Sequence, residues 1–247
     1  MVTLFSALFF RKKRDNTIDT GQRNLIHKKL LSLKNYRHED QFLKKMRFIV
    51  FDTETTGFHP YSGDELLSIG AVAIENGKIQ DDHIFHSYIN PNRTIPGHIS
   101  ELTGIENHHV ESAPSFLSVF SNFLDFKSHS PLIAHCAAFD FNFINVKLKS
   151  HKIMKIPNKS LDTMKLASHL LNGGDGFTLD DLLHQYGIPT TKRHHALEDA
   201  RMTAKLFIHQ MEQLENEGVR TLFELEKFIK YKNDLYQLNQ ASFNSSF

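Results

Sequence analysis

The apolar positions of the first ninety residues change from a helical to an extended period. Residues 17–46 carry an apolar stripe near helical spacing, which predicts a Lys-rich helix. Residues 48–51 form a short continuous apolar run that is typical of a buried strand. Residues 66–75 and 78–89 predict two more strands, and Asn76-Gly77 between them is a strong hairpin signal. The pattern therefore predicts a helix followed by three antiparallel strands.

Strands and helices alternate along the rest of the chain. Two short apolar runs, at residues 131–134 and 159–162, predict buried strands. Helical spacing and capping signals predict helices at residues 97–103, 115–126, 139–149, 163–171, 178–186 and 196–216, and from residue 219 onward. An antiparallel start followed by this alternation implies an α/β fold with a mixed five-stranded sheet flanked by helices.

The same pattern divides the chain into three parts. We expect a basic helical N-terminal arm at residues 1–46, a central α/β domain at residues 47–217, and an amphipathic helix with a tail at residues 218–247. A length of 247 residues with 40% hydrophobic content is enough for one sizeable domain with extensions, rather than for two full domains.

The net charge of +1 conceals a strong division of charge along the chain. Residues 1–47 carry 12 Lys and Arg against 4 Asp and Glu, whereas residues 48–247 carry 17 against 24. A basic arm therefore precedes an acidic body. An acidic body repels phosphate unless its field is reversed locally, which bound divalent cations would do with help from the arm.

The single cysteine and the N-terminal stretch bear on the compartment. Cys136 has no partner for an internal disulfide, which favours a reducing, cytoplasmic location. Apolar residues 2–10 precede the positive charges at residues 11–14, which is the wrong order for a secretory signal. We therefore do not expect the N-terminus to contact a membrane surface, and a weak anchor built from a short apolar insert and a basic patch is the alternative.

Two carboxylates follow the first predicted strand. Asp52 and Glu54 stand at positions i and i+2, so their side chains point to the same face of the strand. Such a pair is costly at the tip of an apolar strand unless a cation or hydrogen bonds neutralise it. Hard oxygen ligands suit Mg²⁺ or Mn²⁺. An ordinary exposed strand end could carry the same two residues. The pair alone therefore does not decide between a metal site and an exposed strand end.

Two more carboxylates and a histidine occur at informative places. Asp140 begins a helix just after the strand predicted at residues 131–134, and Asp199 lies early in the helix predicted at residues 196–216. His194 precedes Asp199 by five residues, a separation that turns a helix by about 500° and leaves the two off a common face. We therefore place His194 on the loop that leads into the helix, from where it can converge with Asp199 on one site.

Three short motifs contain these residues. Residues 52–57 read DTETTG, residues 135–140 read HCAAFD, and residues 194–199 read HHALED, which fits the pattern H-x-A-x-x-D. Together they resemble the DEDDh (DnaQ-like) 3′–5′ exonucleases, a branch that includes the proofreading epsilon subunit of bacterial DNA polymerase III. The resemblance covers about residues 47–212. The family usually has Asn at the position of Cys136, which is not a metal ligand, so we expect a changed hydrogen bond rather than lost activity.

The resemblance implies a fold, a reaction and a set of catalytic residues. The fold would be ribonuclease-H-like, and the reaction a hydrolysis that releases 5′-nucleoside monophosphates from DNA 3′ ends. Two ions, Mg²⁺ or Mn²⁺, would lie about 3.5–4 Å apart. Asp52 would bridge both ions, Glu54 and Asp199 would complete the shell of one, and Asp140 would act through water. His194 would be the general base.

The resemblance also implies contacts to the terminal nucleotide. The expected residues are Thr55, Thr56, Gly57, Phe58, His98 and Thr103. Phe58 would stack on the terminal base, with core packing as the alternative. For Thr103 the alternative is a hydroxyl that caps a turn. Lys192 and Arg193 flank the base, where they either hold a phosphate or form a solvated charge pair.

Three functions are consistent with these residues. The first is an exonuclease on single-stranded or frayed DNA 3′ ends, in proofreading or repair, with a DNA polymerase as partner. The second is an exoribonuclease that trims RNA ends, because recognition of the 2′-hydroxyl depends on pocket shape rather than on these motifs. The third is a non-catalytic nucleic-acid-binding accessory module of a polymerase, although all five motif residues are present.

Overall fold

The structure is a computed structural model that describes residues 20–36, 40–157, 160–171 and 176–244, with the backbone alone at residues 236–244. The N-terminal apolar and basic stretches at residues 2–14 lie outside the described residues. The strands are β1 (Arg47–Thr55), β2 (Leu66–Glu75), β3 (Lys78–Tyr88), β4 (Leu132–Ala134) and β5 (Ser160–Asp162). The helices are α1 (residues 20–35), α2 (Gly97–Thr103), α3 (Asn107–Val110), α4 (Phe116–Lys127), α5 (Ala137–Ser150), α6 (Thr163–Leu170), α7 (Leu179–Gln185), α8 (Ala196–Asn216) and α9 (Leu222–Asn244).

The five strands form one mixed sheet in the order β3-β2-β1-β4-β5. β1 pairs antiparallel with β2, and β2 pairs antiparallel with β3. β1 also pairs parallel with β4, and β4 with β5. The turn between β2 and β3 has positive φ angles at Asn76 (50°) and Gly77 (70°), as a tight hairpin requires. The predicted mixed five-stranded sheet is therefore confirmed.

The alternating side chains of β1 supply two separate cores. Ile49 and Phe51 face a cluster that contains side chains of α1, α4 and α5. Phe48 and Val50 face the opposite way, into a cluster with α6, α8 and α9. Because successive residues of a strand point to opposite faces, Asp52 continues the second row toward α8. The apolar pattern of β1 thus fixes the side of the sheet on which its carboxylates lie.

Helix α1 packs into the first of these cores. Ile26, Leu30 and Leu33 are buried there, whereas Leu25 and Leu31, which belong to the same apolar stripe in the sequence, are exposed. The side chain of Lys29 also donates a 2.7 Å hydrogen bond to Asp125 of α4. The apolar face of the N-terminal helix is therefore narrower than its sequence indicates. Among the described helices, none combines the length and the apolar character needed to cross a membrane.

Local capping explains where several helices begin. Thr178 accepts a hydrogen bond from the backbone N–H of Asp181, and the Asp181 side chain accepts one from the N–H of Thr178, so Thr178 caps the start of α7. Asp162 caps α6 by accepting from the N–H of Met164. The short helix α3 and the 3-10 turns Leu43–Lys45 and Pro60–Ser62 were not predicted, since such brief elements leave little periodicity in the sequence.

Candidate active site

Three carboxylates converge where β1 ends beside α8. Asp52 and Glu54 point to the α8 side of the sheet, and Asp199 meets them from the first turn of α8. Each of the three offers a carboxylate oxygen within 4.8 Å of the others, and they are the one group of this kind among the described residues. This set of hard oxygen donors fits a divalent cation such as Mg²⁺ or Mn²⁺. The predicted same-face pair thus lies in an acidic cluster that can bind metal.

A glycine in β2 allows α8 to come this close. Gly70 lies opposite Asp52 in the sheet. A Cβ atom on Gly70 would lie 2.2 Å from the backbone nitrogen of Leu197 and 2.3 Å from the carbonyl carbon of Ala196. Only a residue without a side chain lets the first turn of α8 rest on the strand at this distance. Gly70 therefore sets the separation between β1 and Asp199.

Asp140 lies in the first turn of α5, close to the cluster and outside the group of three. It is 3% exposed and accepts a 2.7 Å hydrogen bond from the hydroxyl of Thr53. Thr53 points to the face of β1 opposite Asp52 and Glu54. Asp140 is therefore held by a side chain on the face of β1 opposite the group of three carboxylates.

The carboxylates strongly perturb one another. Burial raises the pKa of Asp52 well above its usual value, and the negative charges of Asp140, Glu54 and Asp199 raise it further. Burial, followed by the charges of Asp199 and Asp140, raises the pKa of Glu54 to about 8. Burial raises the pKa of Asp140 to about 7, although the hydrogen bond from Thr53 lowers it. A cluster of this kind favours either protons or bound cations.

His194 lies on the loop before α8, as predicted. Its φ angle is 58°, in the left-handed region, and its backbone N–H donates a 3.0 Å hydrogen bond to Oδ2 of Asp199. The next residue, His195, is the N-cap of α8, and its ring stacks on that of His86 in β3 at 5.0 Å between centroids. Of the two histidines, His194 lines the cavity described below.

Arg193 brings a positive charge into the cluster. Its Nη1 forms an ion pair with Oδ1 of Asp199, and its Nε donates a 2.7 Å hydrogen bond to Oδ1 of Asp180 in α7. The sequence offered two interpretations of Arg193, a phosphate ligand or a solvated charge pair. The structure instead places its guanidinium, with the side chain 22% exposed, between two carboxylates at the site.

A cavity of about 310 Å³ opens beside the carboxylates. The expected site residues that line it are Asp52, Glu54, Thr55, Gly57, Phe58, Thr103, His194 and Asp199. Phe58 is 68% exposed, with its ring centroid 6.1 Å from that of Phe139. Such exposure excludes core packing as the reason for an aromatic residue at position 58.

Three other residues expected to contact the substrate, His98, Thr56 and Thr103, either do not line the cavity or have their side chains engaged elsewhere. His98 is exposed on α2, while Ile99 and Leu102 of the same helix line the cavity. Thr56 is buried, and its hydroxyl accepts a 2.9 Å hydrogen bond from the N–H of Glu65. The hydroxyl of Thr103 donates to the carbonyl of Ile99 at 2.8 Å and accepts from the N–H of Ile105 at 3.1 Å, so it stabilises the turn that ends α2 even though the residue lines the cavity.

Three residues of the second motif, His135, Cys136 and Phe139, also line the cavity. Cys136 has a φ angle of 55°, and its N–H donates a 3.2 Å hydrogen bond to Asp162. Burial raises the pKa of the Cys136 thiol. His135 donates from Nε2 to the carbonyl of Phe177 at 3.1 Å, and its Nδ1 lies 3.0 Å from the hydroxyl of Thr163. Cys136 and His135 thus connect the end of β4 to the segments that begin α6 and α7.

Sequence reasoning missed some residues that shape the site. Gly70 carried a usable signal, because an isolated glycine inside a strand often marks a close backbone approach. The hydrogen bonds that Asp162 accepts from the backbone N–H groups of Cys136 and Ala137 depend on tertiary structure. The ion pair between Arg193 and Asp199 left no signal in the sequence.

Comparison with known proteins agrees with this geometry. The model of the exonuclease family RNase T matches residues 49–207. The chain is 37% identical over 182 residues to the PolC-type DNA polymerase III of Caldanaerobacter subterraneus subsp. tengcongensis, covering 74% of this chain and 13% of that protein. It is 33% identical over 176 residues to the epsilon subunit of DNA polymerase III of Rickettsia conorii, covering 68% of this chain and 75% of that subunit.

A solved structure shows the same fold. The nuclease domain of 3′hExo, a DEDDh family member bound to rAMP, superposes with a TM-score of 0.63 at 16% identity, covering 70% of this chain and 94% of that domain. The mixed sheet is therefore the ribonuclease-H-like fold of the DEDD exonucleases, as predicted. The family match extends from β1 into α8 and thus spans the acidic cluster, so the chain belongs to the DnaQ-like (RNase T) exonuclease family.

Proposed function

We propose that this protein is a 3′–5′ exonuclease that hydrolyses DNA from its 3′ ends and releases 5′-nucleoside monophosphates. The observation that carries the proposal is the convergence of Asp52, Glu54 and Asp199 with His194 on one cavity. Three chain segments far apart in sequence, at residues 52–54, 140 and 194–199, supply the acidic cluster, Asp140 and the histidine. A purely structural role would not require so many buried carboxylates with mutually raised pKa values.

The acidic cluster would hold two Mg²⁺ or Mn²⁺ ions. Asp52, Glu54 and Asp199 would bind the ions directly. Asp140, which is outside the group of three, would act through a water molecule. When bound, such ions stabilise the negative charge that develops on phosphate oxygens. The protein's own contribution is to gather the ligands on one side of β1. Among the described residues that line the cavity, Arg193 is the one Lys or Arg that could compete with a metal ion for these ligands.

His194 would be the general base. Its loop position holds the imidazole at the wall of the cavity, where it would accept a proton from the attacking water. The hydrogen bond from its N–H to Asp199 ties the base to a metal ligand, so the two are positioned together. A base of this kind contributes about 10²–10⁴-fold to the rate.

The terminal nucleotide would enter beside Phe58. An exposed aromatic ring at the rim of a polar cavity is suited to stacking on a base, which is the usual way that proteins hold unpaired nucleotides. Thr55 and Gly57, which directly follow the carboxylates of β1, line the same cavity. On α2, the apolar side chains of Ile99 and Leu102 are better placed than His98 to contact the sugar or base.

DNA is the proposed substrate because both relatives described above are DNA polymerase III proteins by name. The chain spans 13% of the PolC-type relative and 75% of the epsilon subunit, so substrate and partner are proposals for this protein. We propose single-stranded or frayed 3′ ends as substrates, proofreading or repair in the cytoplasm as the setting, and a DNA polymerase as partner.

The test compares 5′-labelled single-stranded DNA, duplex DNA with a 3′ mismatch, and RNA of the same sequence. In Mg²⁺ or Mn²⁺ we expect a ladder shortened from the 3′ end, with DNA degraded faster than RNA and no cleavage in chelator. Asp52→Ala is the matched inactive control. Cleavage that persists in chelator or in Asp52→Ala would overturn the metal mechanism. Faster digestion of RNA than of DNA would establish the exoribonuclease alternative. Binding of nucleic acid without cleavage would establish the non-catalytic accessory module.

A further inference from the structure

The guanidinium of Arg193 occupies a position among the metal ligands. Its Nη1 pairs with Oδ1 of Asp199, while Oδ2 of the same carboxylate accepts from the N–H of His194. Both oxygens of Asp199 are therefore engaged by this chain's own groups. A divalent cation at Oδ1 and a guanidinium at the same oxygen would repel each other strongly in a partly buried site.

A second contact keeps Arg193 at the site when the first one breaks. Its Nε donates a 2.7 Å hydrogen bond to Asp180, which lies in the first turn of α7. Asp180 is exposed and is not among the metal-ligand candidates. Loss of the pairing with Asp199 would therefore free the Nη groups without releasing the side chain to solvent.

The cavity needs a positive charge once a substrate arrives. Among the described residues that line it, Arg193 is the one Lys or Arg, whereas three of the others are carboxylates. The phosphates of a nucleic acid require donors that are charged and suitably oriented, and a guanidinium offers paired N–H groups for phosphate oxygens. A freed Arg193 would meet this requirement at the mouth of the cavity.

We propose that Arg193 is a displaceable counter-cation, which neutralises Asp199 in the metal-free protein and turns to a substrate phosphate when divalent ions bind. The proposal rests on the function proposed above and adds one residue to it. Removing the arginine should therefore have opposite effects on two ligands. Metal should bind more tightly because a competitor is gone, and nucleic acid should bind more weakly because a phosphate donor is lost.

The experiment uses the full chain carrying His194→Ala, so that digestion in the presence of Mn²⁺ is slow compared with the binding measurement. Titration calorimetry measures Mn²⁺ affinity without nucleic acid, and fluorescence anisotropy measures binding of a labelled oligothymidylate at saturating Mn²⁺. In Arg193→Gln we expect Mn²⁺ affinity to rise about tenfold and oligonucleotide affinity to fall about tenfold, each corresponding to a change of about 1.4 kcal/mol. The melting temperature in chelator should fall, because Asp199 is left unpaired.

Three further variants separate this effect from general ones. Lys192→Gln removes the neighbouring exposed cation, whereas the ion pair with Asp199 is formed by Arg193, so Mn²⁺ affinity should not change. Asp180→Asn should weaken oligonucleotide binding, because the freed guanidinium is no longer held. Arg193→Lys retains the charge and guards against a folding defect in the glutamine variant, with Mn²⁺ affinity expected between those of the parent and Arg193→Gln.

The outcomes distinguish this inference from the function on which it rests. If the parent binds no Mn²⁺, both the metal mechanism and the role of Arg193 are overturned. If the parent binds Mn²⁺ and oligonucleotide, but Arg193→Gln leaves both affinities unchanged or shifts them in the same direction, the counter-cation role alone is overturned. An equal rise in Mn²⁺ affinity in Lys192→Gln would also overturn it, since the effect would then be one of net charge.

Discussion

The backbone N–H of His194 donates a 3.0 Å hydrogen bond to Oδ2 of Asp199, five residues further along the chain. The bond spans the junction between the loop and α8, and it accompanies a left-handed backbone at His194. It links the proposed base to a proposed metal ligand through the main chain, so side-chain substitutions at position 194 preserve it. The ring of His195, by contrast, stacks on that of His86 in β3.

We predict that His194→Ala loses about 10²–10⁴-fold in turnover, as expected for loss of a general base, while Mn²⁺ affinity is retained. His195→Ala is the matched control and should lose much less, because its ring lies against β3. The measurement is the turnover number of the parent and of each variant at saturating metal. A more damaged His195→Ala would show that the third motif has been aligned in the wrong register.

The metal-free protein should lose stability as the pH rises. Glu54 and Asp140 have folded-state pKa values of about 8 and about 7, above the ordinary values of 4.5 and 3.8. The folded state therefore keeps protons that the unfolded state releases, and the free energy of unfolding falls between about pH 4 and pH 8. We expect the melting temperature in chelator to drop by at least about 4 °C across this range. Circular dichroism is the suitable probe, because the chain contains no tryptophan.

Two comparisons test the origin of that loss. Saturating Mn²⁺ should abolish most of the pH dependence, since the cation replaces the protons. Asp52→Asn removes a charge from the cluster and should raise the melting temperature in chelator, with a larger gain at pH 8 than at pH 5, although it abolishes activity. If the stability of the wild type in chelator rises with pH instead, the carboxylates do not repel one another as the geometry indicates.

Phe58→Ala should weaken substrate binding without weakening the fold. The side chain is 68% exposed, so its loss removes little buried area, whereas stacking on a base is worth about 1–3 kcal/mol. We expect kcat/KM on single-stranded DNA to fall about 5- to 150-fold, which is that energy expressed as a rate ratio. Tyr61→Ala is the control, because Tyr61 is 79% exposed three residues away and does not line the cavity. Equal losses in the two variants would argue against stacking by Phe58.

Cys136→Asn should stabilise the protein and retain activity. Cys136 has a φ angle of 55°, a conformation that Asn adopts more readily than most residues. We expect a gain of up to about 1 kcal/mol in the free energy of unfolding. Cys136→Ala should show no such gain, because alanine also disfavours left-handed backbone. Chemical denaturation of the three proteins gives the comparison, and a stabilised alanine variant would point to removal of the thiol instead.

The basic N-terminal arm should add affinity for long substrates. Deleting residues 1–44 would be a poor test, because Ile26, Leu30 and Leu33 would leave the core. Neutralising the exposed Lys28 and Lys34 to Gln avoids this problem. We expect weaker binding of long single-stranded DNA and a salt dependence whose log–log slope is smaller by about 1–2. Turnover of a saturating short oligonucleotide should not change, and an unaltered salt slope would assign the arm to another role.

The sequence by itself determined the local parts of this protein. The two strand-like segments and the Asn76-Gly77 turn signal between them predicted the β2–β3 hairpin, because tight turns depend on neighbouring residues. The i, i+2 spacing placed Asp52 and Glu54 on one side of a strand, and a five-residue separation placed His194 on a loop. Each of these follows from backbone geometry over a few residues, which does not depend on what packs nearby.

Only the tertiary structure decided how those parts meet. Asp199 reaches Asp52 across nearly 150 residues because Gly70 lets α8 approach the sheet, and no local pattern reports that distance. Packing also decided that Phe58 is exposed and that His98 lies outside the cavity. The ion pair between Arg193 and Asp199 forms because folding brings the two charges together in a partly buried site. Its energy depends on the local dielectric and on neighbouring charges, which the sequence does not report. Long-range contacts of this kind are properties of the folded arrangement, so the residues identify the chemistry while the fold sets its geometry.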